Sequence, residues 1–429
     1  MDFRKRAIEL IENNSGYART GCTVLDCAVG GGQGLGFPFG RILNFIGDKS
    51  SGKTFISNEI IANCVHTFKK NLKWNYDDAE SGYTFDLAGM YDLPVDKEGT
   101  PQGKTDYFSR TVEALDVHLY KFLKALKEKE KGIYVVDSLD GLANADVLER
   151  EEDRVKGMDK ADKEGKTYKD EGTYSMHSQK FLSQEFFKTK ADKLQDKEAL
   201  LIFISQIRDK INASNFERKW TRAGGKALDF YAHTVLILAN CHKIVKAGRT
   251  VGAVIKGKVD KSKTPRPYRE CLFTLYFDYG IDDVGSSLDF LFNLRGEDFK
   301  LKKNADAIQW GGVEKNLSTM KDFLIENEWY ELAKEEKKAD TGKSALSLEW
   351  LDGWLEADPA RAEKALQHFG KSYTRDELLD MADNDPTFRR EVEIRTIAKW
   401  EEIEYNARTQ RKSKYAQPEK PVKGDGKDE

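Results

Sequence analysis

Residues Phe39 to Cys64, FGRILNFIGDKSSGKTFISNEIIANC, constrain the fold more than any other stretch of this chain. The apolar run Ile42 to Ile46 predicts a strand, and it enters Gly47-Asp48-Lys49-Ser50-Ser51-Gly52-Lys53-Thr54 before apolar residues resume at helical spacing. Strand, glycine-rich loop and helix in that order make a phosphate-binding loop. Its glycines let the backbone fold back so that N–H groups point inward at a triphosphate, and the helix N-terminus adds partial positive charge. Lys53 then reaches the β- and γ-phosphates while the Thr54 hydroxyl holds Mg²⁺, so ATP and Mg²⁺ are the expected cofactors.

The surrounding chain reads as an α/β fold. Strand character recurs at 72–76, 132–136, 199–205, 232–239 and 271–276, and helical spacing at 112–126 and from about 175 to 195. Residues 2–13 predict a short amphipathic helix with Ile8, Leu10 and Ile11 on one side. Strands alternating with helices imply a mostly parallel sheet covered on both faces, with the nucleotide at the carboxyl ends of the strands. Beyond about Ser286 the pattern turns to helices with scattered aromatics, including a capping box at Thr374–Glu377, which predicts a smaller C-terminal domain. The last stretch, 406–429, is rich in lysine, proline and glycine and is expected to be disordered.

Hydrolysis needs more than a phosphate loop: a metal carboxylate, a group to polarise water and a sensor of the γ-phosphate. Asp137 closes an apolar strand and fits the carboxylate that holds Mg²⁺ through water, although a strand-end helix cap is the alternative. Asp77, Asp78 and Glu80 end the preceding strand, and any of them could accept a proton from the attacking water. Gln206 ends another strand, where its amide either senses the γ-phosphate or is an ordinary polar terminus. The stretch 207–225 follows it with Arg208, Lys210, Arg218, Lys219 and Arg222 among Phe216 and Trp220. Cations interleaved with rings suit a flexible single strand of DNA, and a solvated loop is the bland reading.

Net charge is −3 with 33% of residues charged, so any DNA-binding surface must be local. No run approaches the length of a membrane span and the N-terminus lacks the apolar core of a signal peptide, so a cytoplasmic protein without a membrane role is expected. The five cysteines form no CxxC pair, and Cys241-His242 is their one Cys/His neighbour pair; neither a disulfide framework nor a zinc site is expected.

The ordered segments TGC, TVLDCAVGGGQGLGFPFGRI, GDKSSGKT, DAE, VVDSLDGLA, LLIFISQIRDKI, GGKALDFYAH and KVDKSKTPRPYRE closely resemble the bacterial RecA recombinases over about residues 18–285. The resemblance implies a RecA-like ATPase core at 21–285 with two DNA-binding loops, about 149–174 and 207–225. An oligomerisation helix at 1–20, a C-terminal domain at 286–405 and a tail at 406–429 complete that division. By position it makes Glu80 the catalytic glutamate and Gln206 the γ-phosphate sensor. Arg208, Lys210, Phe216, Gly224 and Gly225 fall in the second DNA loop, and Lys180 on a DNA-binding arginine. Lys261 and Lys263 match lysines that reach the neighbouring subunit's ATP, and Phe230 an interface phenylalanine.

The implied activity is an ATP-dependent recombinase. It would form a helical filament on single-stranded DNA and exchange strands with double-stranded DNA in repair and the SOS response, aided by a single-strand-binding protein and loading mediators. Alternatives on the same core are a recombination mediator without long filaments and a hexameric helicase. The chain departs from the family pattern in a longer first loop, in Lys226 and Asp229, in a short N-terminal helix, and in a basic tail, with seven Lys/Arg and four Asp/Glu over 407–429.

Overall fold

Nine described strands form one sheet in the order β13-β12-β11-β10-β3-β7-β6-β4-β5. The computed structural model describes residues 2–143, 186–209, 220–221, 225–310, 317–368 and 372–409. The parallel half of the sheet comprises β3 (Ile42–Gly47), β4 (Leu72–Asp78), β5 (Lys104–Thr105), β6 (Lys131–Asp137) and β7 (Ala199–Gln206). Such strands are buried on both sides, and every residue of β3 is buried. Alternation sends Leu43 and Phe45 to one core and Ile42 and Ile46 to the other. The first core is closed by α1 (Phe3–Glu12), α2 (Thr23–Gly30) and α3 (Lys53–Phe68). The second is closed by α5 (Val112–Ala125), α6 (Phe187–Asp196) and α7 (Gly225–Tyr231), and the short α4 (Leu87–Tyr91) lies between β4 and β5 in the chain.

The antiparallel half was not expected at its full extent. β10 (Thr234–Lys246) runs parallel to β3 from Thr234 to Leu238, then continues with β11 (Arg249–Ser262) as a hairpin past the end of β3. Ala247 and Gly248, both at positive φ, make its tip. β12 (Glu270–Tyr276) and β13 (Gly280–Asp282) complete the edge. The stretch 207–225, read as irregular, begins and ends as a strand pair, β8 (Arg208–Asp209) against β9 (Trp220–Thr221).

The C-terminal segment is divided in its packing. α8 (Asp283–Leu291), α13 (Arg375–Asn384) and the 21-residue α14 (Pro386–Asn406) lean on the sheet-containing part, where Ile394, Ile397 and Trp400 join the first core. The expected capping box at Thr374 and Glu377 opens α13. A cluster of its own forms among α9 (Leu317–Glu326), α10 (Tyr330–Thr341), α11 (Leu348–Glu356) and α12 (Pro359–His368). α14 extends to Asn406, and residues 410–429 of the expected disordered tail lie outside the described residues.

α1 docks on its own chain. Ala7 and Leu10 are buried in the first core, Arg4 makes a two-pronged ion pair with Glu391 of α14 at 2.6 and 2.7 Å, and the Phe3 ring meets Tyr405 edge-on. The short β1 (Tyr17–Ala18) and β2 (Phe37–Pro38) pair just after it.

One carboxylate in this frame carries a pH dependence. Glu59 of α3 is buried, its Oε1 accepts the Ile281 N–H at 2.7 Å, and Gly280 must lack a side chain because a Cβ there would stand 2.2 Å from that oxygen. Burial pushes the Glu59 carboxyl up to about 7. A raised acid stabilises the fold fully below its unfolded value and loses that contribution as pH rises through the folded one. E59Q is therefore expected to gain on the native chain by on the order of 3 kcal/mol between pH 4.5 and 7.5. Parallel stability curves in urea at the two pH values would refute this.

Candidate nucleotide and nucleic-acid site

Register brings the functional strand ends to one edge. Gly47 of β3 lies opposite Gln206 of β7, and Asp78 of β4 opposite Asp137 of β6. Gly47 has to be glycine, since a Cβ would meet Ser51 Oγ at 2.4 Å and the Leu238 carbonyl at 2.5 Å. Gly52 turns the chain at φ +88° into α3, whose first turn has no side-chain cap, so its amides face the loop. Lys53 is 9% exposed and curls over that loop, donating to the carbonyls of Gly47 and Asp48 at 2.8 Å each and to Ser51 Oγ at 3.3 Å. Burial lowers its pKa, and the nearby Asp137 and Asp48 oppose the shift.

The structure separates the three carboxylates at the end of β4. Asp77 is buried under the sheet, where Tyr134 Oη donates to it at 2.7 Å and Ser109 through both its N–H, at 2.7 Å, and its hydroxyl, at 2.6 Å. Asp78 accepts the Tyr83 N–H at 2.8 Å and braces the turn. Glu80 alone is exposed at the rim, where Oε1 accepts from the Ser138 hydroxyl and from Gln206 Nε2 at 3.0 Å. Asp140, on the turn after β6, accepts the Gln206 N–H at 3.2 Å.

Asp137 is the deeper acid. Its Oδ2 accepts from Thr54 Oγ1 at 2.9 Å and from Tyr76 Oη at 2.5 Å. Burial raises its pKa, the two hydroxyl bonds lower it, and the charges of Glu80 and Asp78 raise it again. An acid-rich pocket of this kind is short of positive charge, which a divalent cation supplies. Among the described residues no group of three or more His, Cys, Asp or Glu could cage an ion by itself. A Mg²⁺ held by one hydroxyl, one carboxylate, phosphates and water fits this donor set.

Residues 157–282 match the RecA N-terminal domain family. Protein RecA of Helicobacter pylori is 30% identical over 271 residues, 63% of this chain and 68% of the relative. Those of Wolinella succinogenes and Acinetobacter baylyi are 28% identical over 286 and 291 residues, each covering 67% of this chain, and 71% and 73% of the relatives.

The chain belongs to the RecA family.

Seen as a RecA-family protein, the chain differs at its outer residues from a simple transfer. Lys261 does not extend outward: its Nζ donates to the carbonyls of Asp229, of Phe230 at 3.0 Å and of Ala232 at 2.8 Å, closing the C-terminal end of α7. Lys263 donates its backbone N–H to His233 O at 3.0 Å. Phe230 is 70% exposed and edge-on to Tyr231. Arg208 and Trp220 sit on the paired β8 and β9, and Gly225 opens α7. Lys180, Lys210, Phe216, Arg218, Lys219, Arg222 and Gly224 lie outside the described residues, as does the first expected DNA loop, 149–174.

Sequence reasoning offers Tyr83, Phe85 and Tyr91 as rings for a base; it missed Tyr76 and Ser138, whose partners lie 61 and 58 residues away, and Phe55 and Phe277, which complete an aromatic wall with Phe85. In that wall Phe55 packs edge-on to Phe85 with centroids 4.8 Å apart and lies 6.4 Å from Phe277, which is 47% exposed. Phe55 immediately follows Thr54, the one signal that could have drawn attention to it. Among the described residues no helix is long and apolar enough to cross a membrane.

Proposed function

We propose that this RecA-family chain is a DNA-dependent ATPase that polymerises on single-stranded DNA and exchanges strands with a homologous duplex in recombination and repair. The observation that carries the reading is the Gln206–Glu80 hydrogen bond, because Gln206 is also where the basic, aromatic stretch 207–225 begins. A shift of that amide on contact with a γ-phosphate would release Glu80 and pull on the DNA loop together, coupling nucleotide and DNA as one equilibrium.

In this reading Lys53 leaves the Gly47 and Asp48 carbonyls for the β- and γ-phosphates, and the α3 amides receive the rest of the charge. Mg²⁺, when bound by Thr54 and through water by Asp137, neutralises charge developing on the phosphates. Glu80 orients the attacking water and takes its proton. Asp48, Lys49, Ser50, Ser51 and Gly52 cradle the phosphates through the backbone, and the wall of Phe55, Phe85 and Phe277 offers a face to the base. Lys261, on leaving the carbonyls at the end of α7, and Lys263 would serve the neighbour's ATP, with Phe230 at the subunit contact. The division into an N-terminal helix, core, C-terminal domain and tail at 1–20, 21–285, 286–405 and 406–429 is part of the same proposal, as are a single-strand-binding protein and loading mediators as partners.

A second reading, a mediator that binds nucleotide without long filaments, draws on α1. A helix whose apolar face is already buried against α14 has less to offer a neighbouring subunit. Electron microscopy on circular single-stranded DNA with a slowly hydrolysed ATP analogue separates the two. A continuous, stretched helical filament is expected; scattered single subunits would favour the mediator, and closed rings a hexameric helicase.

A further inference from the structure

The Asp137 carboxylate receives both of its hydroxyl donors on one oxygen. Thr54 comes from the start of α3, at 2.9 Å, and Tyr76 from β4, at 2.5 Å. The Tyr76 ring cannot swing freely. Tyr83 lies against it with centroids 4.1 Å apart and planes 32° from parallel. Tyr83 is itself tied down at two points: its hydroxyl donates to Asn58 Oδ1 at 3.1 Å, and its N–H to Asp78 Oδ2 at 2.8 Å. Asn58, like Thr54, belongs to α3, so the set Asn58, Tyr83, Tyr76, Asp137, Thr54 closes from the helix back onto the same helix. A phenylalanine at 76 would fill the same space; the hydroxyl serves Asp137.

We infer that Tyr76 is a positioning residue: by fixing Asp137 through Oδ2 it keeps the other carboxylate oxygen for the water shell of a nucleotide-bound divalent cation, and so sets the affinity for that cation. Partners one step behind a metal carboxylate orient it as surely as the ligands bind the ion, and their loss commonly costs 10- to 100-fold in metal affinity. The inference rests on the phosphate-loop reading of Lys53 and Thr54. Its structural rival is a tyrosine that borrows a nearby carboxylate to satisfy a buried hydroxyl, in which case only stability depends on it.

The deciding measurement is Mn²⁺ binding to the full chain with a non-hydrolysable ATP analogue, the free ion read by electron paramagnetic resonance. Y76F is expected to weaken Mn²⁺ binding about tenfold. The Mg²⁺ concentration for half-maximal ATPase should rise by a similar factor, with kcat at saturating Mg²⁺ little changed. Tyr83→Leu, which removes the supporting ring and leaves the Tyr76 hydroxyl in place, should shift Mn²⁺ affinity in the same direction by less. Mn²⁺ affinity equal to the native chain's in Y76F overturns the inference, whatever happens to thermal stability. A native chain that binds no Mn²⁺ with the nucleotide overturns the phosphate-loop reading as well, so the two failures are told apart.

Discussion

Lys53→Ala is expected to lower DNA-stimulated ATP hydrolysis by about 10²- to 10³-fold, the usual cost of removing a preorganised donor from a site of developing charge. The argument is one of position and charge. Lys53 is 9% exposed and held by Gly47 O, Asp48 O and Ser51 Oγ, so its ammonium is already inside the loop that would receive the phosphates. Burial pushes such an amine toward its neutral form, and Asp137 and Asp48 oppose that shift without cancelling it. Alanine leaves a loop with amides and no point charge. Lys53→Arg should not restore turnover, because a planar fork is too wide for a nest shaped around an ammonium. The check is steady-state hydrolysis with and without circular single-stranded DNA, alongside near-ultraviolet circular dichroism to show that the fold is kept. Turnover within threefold of the native chain's would remove the assignment of the loop.

What could be read from sequence follows from how local each signal is. Ile42 to Thr54 was legible because a buried strand, a turn that needs glycine and a helix start all occur within 13 consecutive residues. Asp77, Asp78 and Glu80 were not separable, because neighbours on a strand face opposite ways and the last paired residue must be known before faces can be assigned. Only pairing of Asp78 with Asp137 puts Asp77 under the sheet and leaves Glu80 at the rim. Lys261 reads as a solvated charge or, by family likeness, as a reach toward a neighbour. Its place over the end of α7 depends on carbonyls some 30 residues earlier in the chain. α14 was hidden differently. It touches α1, α2, α8 and α13, so its apolar residues occupy several faces and no single stripe marks it.

Arg375→Met is expected to cost about 3–5 kcal/mol of stability, the range found when one partner of a buried ion pair is removed. Arg375 opens α13 and is 6% exposed; its Nε donates to Asp289 Oδ1 at 2.8 Å and its Nη2 to Asp282 Oδ2 at 3.2 Å. Asp289 also takes Arg295 Nε at 2.7 Å, and Asp282 caps α8 by accepting the Gly285 N–H at 2.8 Å. Methionine fills the volume but takes from Asp282 its Arg375 cation, while Asp289 keeps Arg295. Asp282→Asn added to Arg375→Met should recover part of the loss, since it removes the stranded charge and keeps an oxygen for the Gly285 N–H. Urea denaturation with an unchanged slope measures both variants, and a loss below about 1 kcal/mol would mean that water reaches these acids. The shape of the transition matters as much as its midpoint. Ile394, Ile397 and Trp400 of α14 sit in the same core as β3 and α3, while Val392 of that helix joins the cluster around Leu288 and Leu378. Destabilising Arg375 should therefore lower one shared transition. A second transition that alone moves would mean that α13 and α14 unfold apart from the nucleotide-binding sheet, and that the sheet does not need them.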